Sequence, residues 1–377
     1  MSIFKKIVKA VKSLFSSSSS KNKTLIPFQN HLWNFDRFDD VKSKSYKINY
    51  INKTASEYET KADLTVVNKR ALWISDPHYM VTLAPYYWPN PDTEDGLPYI
   101  VRDCERNPEL EMYDAPIVNG LVSKMTMLSI AFHVTDNEKY YNMVVNQLKT
   151  FFIEEDTRMY PDFSYCQVAP GYNSNMGLSS LEAYNFIAVF ESVLLVHSTK
   201  EIPQDIIKAL KEWAKKSITS LETSYAGKHE LNMKNNHGVM YDVLLIYLKV
   251  FSEGKMDETS LKRLKGRIDE QIKSDGTQPL ELERPSGLHY SVYNLTHMVD
   301  AYRMLKSVGK PLEEKYVAKI KKAFEFLLSS KTLADFKALG YNETSDWDKE
   351  YKVLNMEAAR MGLVDFDFLS SVYYYIK

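Results

Sequence analysis

From about residue 114 onward, apolar side chains recur at spacings of three and four, and no stretch alternates apolar with polar. That period is the signature of helices with one buried face, and it leaves little room for a sheet. In "EKYYNMVVNQLKTFF" the residues in register are Tyr141, Val144, Val145, Leu148, Phe151 and Phe152. In "DIIKALKEWAKKSI" they are Ile206, Leu210 and Trp213, and Val317, Ile320, Phe324 and Leu327 mark a further helix. The spacing predicts helices near 114–134, 138–153, 179–198, 204–224, 237–252, 257–273, 290–307, 313–329 and 364–376. Their connections are short and polar, so neighbouring helices should run antiparallel. The expected architecture is all-α: helical hairpins forming an incomplete α/α toroid. An extended N-terminal arm over 25–110, rich in Pro, Asp, Asn and Tyr, should precede it. An open solenoid is the alternative, but no fixed-period repeat supports one.

Composition narrows function. The formal net charge is −1, which gives no bulk electrostatic case for nucleic acid. The chain carries 26 Tyr, 17 Phe and 5 Trp, which suits either sugar-stacking surfaces or ring-rich helix packing. Cys104 and Cys166 are the two cysteines; they form no disulfide framework, although a single bridge between them is left open. No Cys/His cluster suggests a metal, and no apolar run looks long enough to span a bilayer.

The first 24 residues read as a separate segment. Phe4, Ile7, Val8, Val11, Leu14 and Phe15 share one helical face, and Lys5, Lys6, Lys9 and Lys12 lie opposite. A secretory signal needs an uninterrupted apolar core, which Lys9 and Lys12 break. The pattern fits a basic amphipathic helix making peripheral contact with a membrane surface, followed by a Ser-rich linker. Residues 25–377 are then expected to form a single domain.

Three loops are distinctive: "YMVTLAPYYWPNPDTEDGLPYIVRDCERNPE" at 79–109, "YPDFSYCQVAPGYNSNMGLSSLEAYNF" at 160–186, and "DGTQPLELERPSGLHYSVYN" at 275–294. The helix entrance "KNNHGVMYDV" at 234–243 is a fourth oddity, because Asn and Gly are poor helix formers. The chain thus offers Asn235, Asn236 and His237 at one helix entrance, and Arg284, His289 and Tyr290 at another. Adjacent hairpins of a toroid open on one rim, so the two sets can meet. Each member also has a plain reading: the Asn pair as a cap, the His as idle, Arg284 as a surface ion pair, Tyr290 as core.

Taken together, neutral donors, a guanidinium, an imidazole and a phenol suit β-elimination from a uronic acid. The C5 proton is barely acidic beside a charged carboxylate. Asn and Arg can neutralise that carboxylate and stabilise the enediolate-like state. His or Tyr takes the proton, and Tyr protonates the departing O4. An Arg and a His⁺ nearby would favour the Tyr anion, so a depressed Tyr290 pKa is expected.

These segments resemble the alginate-lyase-type polysaccharide lyases of α/α toroid fold, from about residue 72 to 300. The Pro- and aromatic-rich stretch, the second loop, the Asn-Asn-His-Gly entrance and the Arg-to-Tyr loop occur in the family's order. The resemblance implies Asn236 and Arg284 as carboxylate neutralisers, His237 as base or base-assisting group, and Tyr290 as acid or as acid and base both. It also implies Tyr86, Tyr87 and Trp88 as a sugar-binding wall, with Tyr165 and Gln167 across the cleft and Asn235 and His289 alongside. It implies an anionic polysaccharide as partner, no cofactor, and a periplasmic or secreted setting. The chain departs from the pattern at Met176-Gly177, where Arg-Gly is usual, and at "PHYM" (77–80), where an acidic "HDYM" is expected. Cations available to the cleft are Arg102, Arg106, Lys234 and Arg284.

Stereochemistry leaves the sugar open. In D-mannuronate and D-glucuronate the C5 proton and O4 leave from one face, so one Tyr can serve twice. In L-guluronate they leave from opposite faces, which needs a separate base such as His237. The Arg–Tyr loop points towards the first case. Two other readings compete: a glycoside hydrolase using carboxylates such as Glu281, Glu283 or Asp242, and a glycan-binding protein without turnover.

Overall fold

The computed structural model describes residues 25–33, 41–69, 74–172 and 177–366. The expected N-terminal amphipathic segment, Met176, and most of the helix expected at 364–376 lie outside the described residues.

Among the described residues, helices α1 (Ser45–Ser56), α2 (Ala115–Thr135), α3 (Glu138–Phe152), α4 (Ser180–Thr199) and α5 (Gln204–Thr223) come first. They are followed by α6 (Tyr225–Asn232), α7 (Asn236–Glu253), α8 (Glu258–Gln271) and the single turn α9 (Pro279–Leu282). The last are α10 (Gly287–Ser307), α11 (Glu314–Leu328), the short α12 (Leu333–Ala338) and α13 (Trp347–Arg360). Two short strands, β1 (Tyr87–Trp88) and β2 (Ile100–Val101), pair antiparallel, with Tyr87 opposite Val101 and Trp88 opposite Ile100.

Sequence alone sorts most of these helices into two rows. The segment "FIAVFESVLLV" in α4 and "VMYDVLLIYLKVF" in α7 are apolar nearly all round, and such helices must be enclosed. By contrast α3, α5, α8 and α11 bury one stripe and expose the other. The packing follows. The inner helices contact one another in chain order, α2 with α4, α4 with α7, α7 with α10 and α10 with α13. The amphipathic helices form the outer row, with α3 against α2, α5 and α8 against α7, and α11 against α10. This is the α/α toroid. Its inner helices surround a cavity of about 250 Å³, lined in part by Tyr184, Tyr293, His297, Asp300 and Glu350.

The arm is less extended than its composition suggests. Helix α1 lies within it, because Ile51 and Ala55 bury against α2 and packing overrides a mediocre local pattern. Helices α6 and α13 also escaped the periodicity, being short or rich in charge. One helix among the described residues, α2, is long and apolar enough to cross a membrane. Its apolar window is 72% buried inside the protein, so its hydrophobicity serves the core. Midway along α4, Glu191 accepts the backbone N–H groups of His31 (3.2 Å) and Leu32 (3.0 Å) and the Tyr247 hydroxyl (2.6 Å). One buried carboxylate thereby fastens the arm to the inner row.

Candidate active site

The first two distinctive loops are laced together before either reaches the helices. Thr82 N donates to the Tyr165 carbonyl, Ala84 N to that of Val168, and Val168 N to that of Thr82. Val81, Leu83, Leu110, Tyr113 and Val168 form a small apolar core of their own, against which Tyr99, in the connection between β1 and β2, packs. The hairpin is a packed wall rather than a loose arm.

The Asn-Asn-His-Gly entrance now has a physical explanation. Asn235 is the N-cap of α7, its Oδ1 accepting the His237 N–H at 3.3 Å. Asn236 is buried and held by one carboxylate: its backbone N–H donates to Glu281 Oε1 and its Nδ2 to Glu281 Oε2, each at 2.7 Å. Gly238 is required by close approach. A Cβ there would fall 2.2 Å from Arg267 Nη1 and 2.2 Å from the Met233 carbonyl oxygen, because Arg267 passes beneath the helix entrance. Glu281 belongs to α9, in the Arg-to-Tyr loop, so its bonds to Asn236 join the two expected halves of the site.

His237 Nδ1 sits 3.4 Å from Glu230 Oε1, within ion-pair range but outside hydrogen-bond geometry. Glu230 is fixed by the N–H and hydroxyl groups of Ser179 and Ser180 at the start of α4, at 2.8–3.1 Å. Arg284 forms a bidentate pair with Asp103, Nη2 to Oδ1 at 2.7 Å and Nε to Oδ2 at 3.1 Å. Its guanidinium carbon also lies 3.8 Å from the centroid of the Tyr290 ring. The Tyr290 hydroxyl donates to the Tyr86 hydroxyl at 2.8 Å, with Cys104 Sγ 4.0 Å away.

Tyr290 departs from expectation in one respect. Burial and the neighbouring Tyr86 push its phenol well above the ordinary tyrosine pKa, and Arg284 only partly opposes them. The expected depression does not occur in this arrangement, because a tyrosine only 7% exposed, its hydroxyl facing another hydroxyl, loses more solvation than one guanidinium returns. Cys104 and Cys166 are both free thiols, so no bridge forms between them.

The remaining candidates surround this centre unevenly. Tyr87 packs edge-on to Tyr172 at 6.0 Å, and Trp88 carries the Arg102 guanidinium 5.1 Å from its ring centroid. Tyr165 meets Tyr79 edge-on at 5.2 Å. Gln167 is buried and its Nε2 is committed to Glu182 at 2.7 Å, so it braces the wall. His289 turns towards α13, its Nδ1 3.1 Å from Glu350 and its N–H on Glu343. Two of the three carboxylates of the hydrolase reading are occupied, while Glu283 is exposed at the end of α9. Asp242 is buried between Arg263 and Arg267, and Glu281 is held by Asn236.

Sequence reasoning missed Asp103, Glu230 and the pairing of Tyr86 with Tyr290. Asp103 sits in "VRDCER", an ordinary charged loop, and nothing local marks it as the partner of an arginine in another loop.

The toroid of helical hairpins thus carries an amide, a guanidinium and a phenol on neighbouring helix entrances and loops, with an imidazole beside the amide. The sequence matches the alginate lyase family over residues 73–335. The chain therefore belongs to the alginate lyase family and is a polysaccharide lyase, and that membership implies an anionic polysaccharide substrate. Among solved structures it is similar to an alginate lyase from Bacteroides ovatus, at 26% identity and a TM-score of 0.82, covering 93% of this chain and 94% of the other. It also shares its fold with alginate lyase A1-III from Sphingomonas species A1, at 14% identity and a TM-score of 0.55, covering 92% and 93%. No curated protein matches the sequence.

Proposed function

We propose that this lyase cleaves a uronic-acid polymer, of the mannuronate/alginate or glucuronan type, by β-elimination. The observation that carries the reading is the Arg284 geometry: the guanidinium already grips a carboxylate in bidentate fashion while lying against the Tyr290 ring. A substrate carboxylate in the place of Asp103 would have its charge met by Arg284. Asn236, its amide fixed by Glu281, would assist from the neighbouring helix entrance. The enediolate-like charge that develops as the C5 proton leaves would then face donors already in position.

Tyr290 keeps its proton in this environment, which suits the acid that protonates departing O4. His237, braced by Glu230, is the candidate base. That division of labour serves elimination across opposite faces, as L-guluronate requires. For D-mannuronate or D-glucuronate, Tyr290 would take both roles once Tyr86 withdraws. Two of the three hydrolase candidates, Asp242 and Glu281, are buried and committed to cations or amides, which counts against hydrolysis.

The test is ultraviolet absorbance over time with polymannuronate, polyguluronate and glucuronan, using wild type and His237→Ala. Elimination creates a C4–C5 double bond conjugated to the carboxylate, and hydrolysis creates none. A rise on one polymer, lost in the variant, supports the reading and identifies the sugar. New reducing ends without a rise would establish hydrolysis, and no change on any polymer would leave a glycan-binding protein.

A further inference from the structure

Asp103 is the residue in the site that the chemistry of elimination does not require. It stands on the hairpin wall, where Arg102 N donates to the Tyr86 carbonyl at 2.7 Å and Glu105 N to that of Arg102 at 3.1 Å. This turn carries Cys104 at φ +67°, a conformation that non-glycine residues adopt sparingly. The base of the hairpin is anchored, by Asn107 N to the Pro85 carbonyl and Tyr99 N to that of Pro170. The turn therefore projects Asp103 and Cys104 from a fixed support into the Arg284–Tyr290 pair. The same wall supplies Tyr86 to the Tyr290 hydroxyl. Two of the four candidate catalytic groups are thus engaged by one hairpin, each through the atoms that a substrate would need.

On the uronate reading above, we propose that Asp103 is an internal surrogate for the substrate carboxylate, occupying Arg284 and setting the affinity of the site for uronates. Binding is then an exchange of one carboxylate for another on the same guanidinium. Arg284 is never left without an anion, and Asp103 is released to water. The side chains of the pair are 26% and 36% exposed, so the contact is solvated enough to break readily. Its bidentate geometry is nonetheless that of the ligand it excludes. A neutral sugar that opens the turn leaves Arg284 unpaired, whereas a uronate repairs it. A site closed about nine-tenths of the time weakens every ligand about tenfold, whatever that ligand's other contacts.

The test is Asp103→Asn, which keeps the shape of the side chain and removes its charge. Two quantities are compared with wild type: KM on whichever polymer the wild type cleaves, and Kd for monomeric D-glucuronate by calorimetry. Both should fall together, by five- to tenfold, with kcat/KM rising because KM falls. Asp103→Glu, which retains a carboxylate, should stay within twofold of wild type. An Asp103→Asn protein with unchanged or weaker KM and Kd, or with no glucuronate binding gained over wild type, overturns the proposal. Failure of the lyase reading is seen separately, as wild type producing no unsaturated product on any polymer; the glucuronate titration still decides the role of Asp103.

Discussion

Arg284 lies against the face of Tyr290, its guanidinium carbon 3.8 Å from the ring centroid, while its Nε and Nη2 donate to Asp103. The stacking fixes where the charge of the arginine sits relative to the phenol. Any carboxylate that binds the guanidinium is thereby carried to the edge of Tyr290.

Tyr290→Phe should abolish turnover, by a factor of about 10² to 10⁴ in kcat, and leave polymer binding largely intact. The ring that supports Arg284 remains, and only the transferable proton is gone. Kinetics and a binding titration on the same variant check both halves. A fully active variant would remove Tyr290 from the mechanism.

Tyr86→Phe should lower the pKa of Tyr290. The Tyr86 hydroxyl raises that value, second only to burial, so its removal leaves only burial and Cys104 set against Arg284. A phenol acting as acid is active while protonated. The alkaline limb of the pH–rate profile should therefore move to lower pH in the variant, and an unmoved limb would show that Tyr290 does not govern it.

Gly238→Ala should destabilise the protein by about 2–4 kcal/mol, in the range of overpacked or strained core positions. The added methyl would lie 2.2 Å from both Arg267 Nη1 and the Met233 carbonyl, neither of which is a free side-chain end. Either the Arg267 clamp on Asp242 or the entrance carrying Asn236 and His237 must shift. Urea denaturation and activity measured together should show both losses.

Glu191 predicts a pH-dependent stability. Burial raises its pKa to about 7, against opposing hydrogen bonds from Tyr247 and the arm. Between its unfolded value near 4.5 and about 7, the folded state holds a proton that the unfolded chain has released. The contribution of Glu191 to stability therefore falls as pH rises through that window. Glu191→Gln has no such proton, so denaturation at pH 4.5 and pH 8 should show the variant gaining about 2–3 kcal/mol relative to wild type. A constant difference would mean that the buried carboxyl is ionised throughout.

The helices of the two rows were largely legible from the chain. The all-round apolar character of α4 and α7 and the single stripes of α3, α5 and α11 state which faces are buried. Helix α1 was not legible, because its Ile51 and Ala55 are too few to announce a face until α2 covers them. Asn235 as a cap was also a local matter, settled by a side chain and an amide two residues apart.

The amino-acid sequence by itself determined most of the helices, the inner place of the all-apolar ones and the outer place of the one-striped ones, and the residue types brought to the helix entrances. Those properties depend on the spacing of side chains within a turn or two of helix. The tertiary structure alone decided that Asn236 is held by Glu281, 45 residues away, that Arg284 is paired with Asp103 across 181, and that Tyr290 is bonded to Tyr86 across 204. Such pairings carry no local signal. They arise when packing of the inner row brings separate loops to one rim, and they set the charge and protonation of the site.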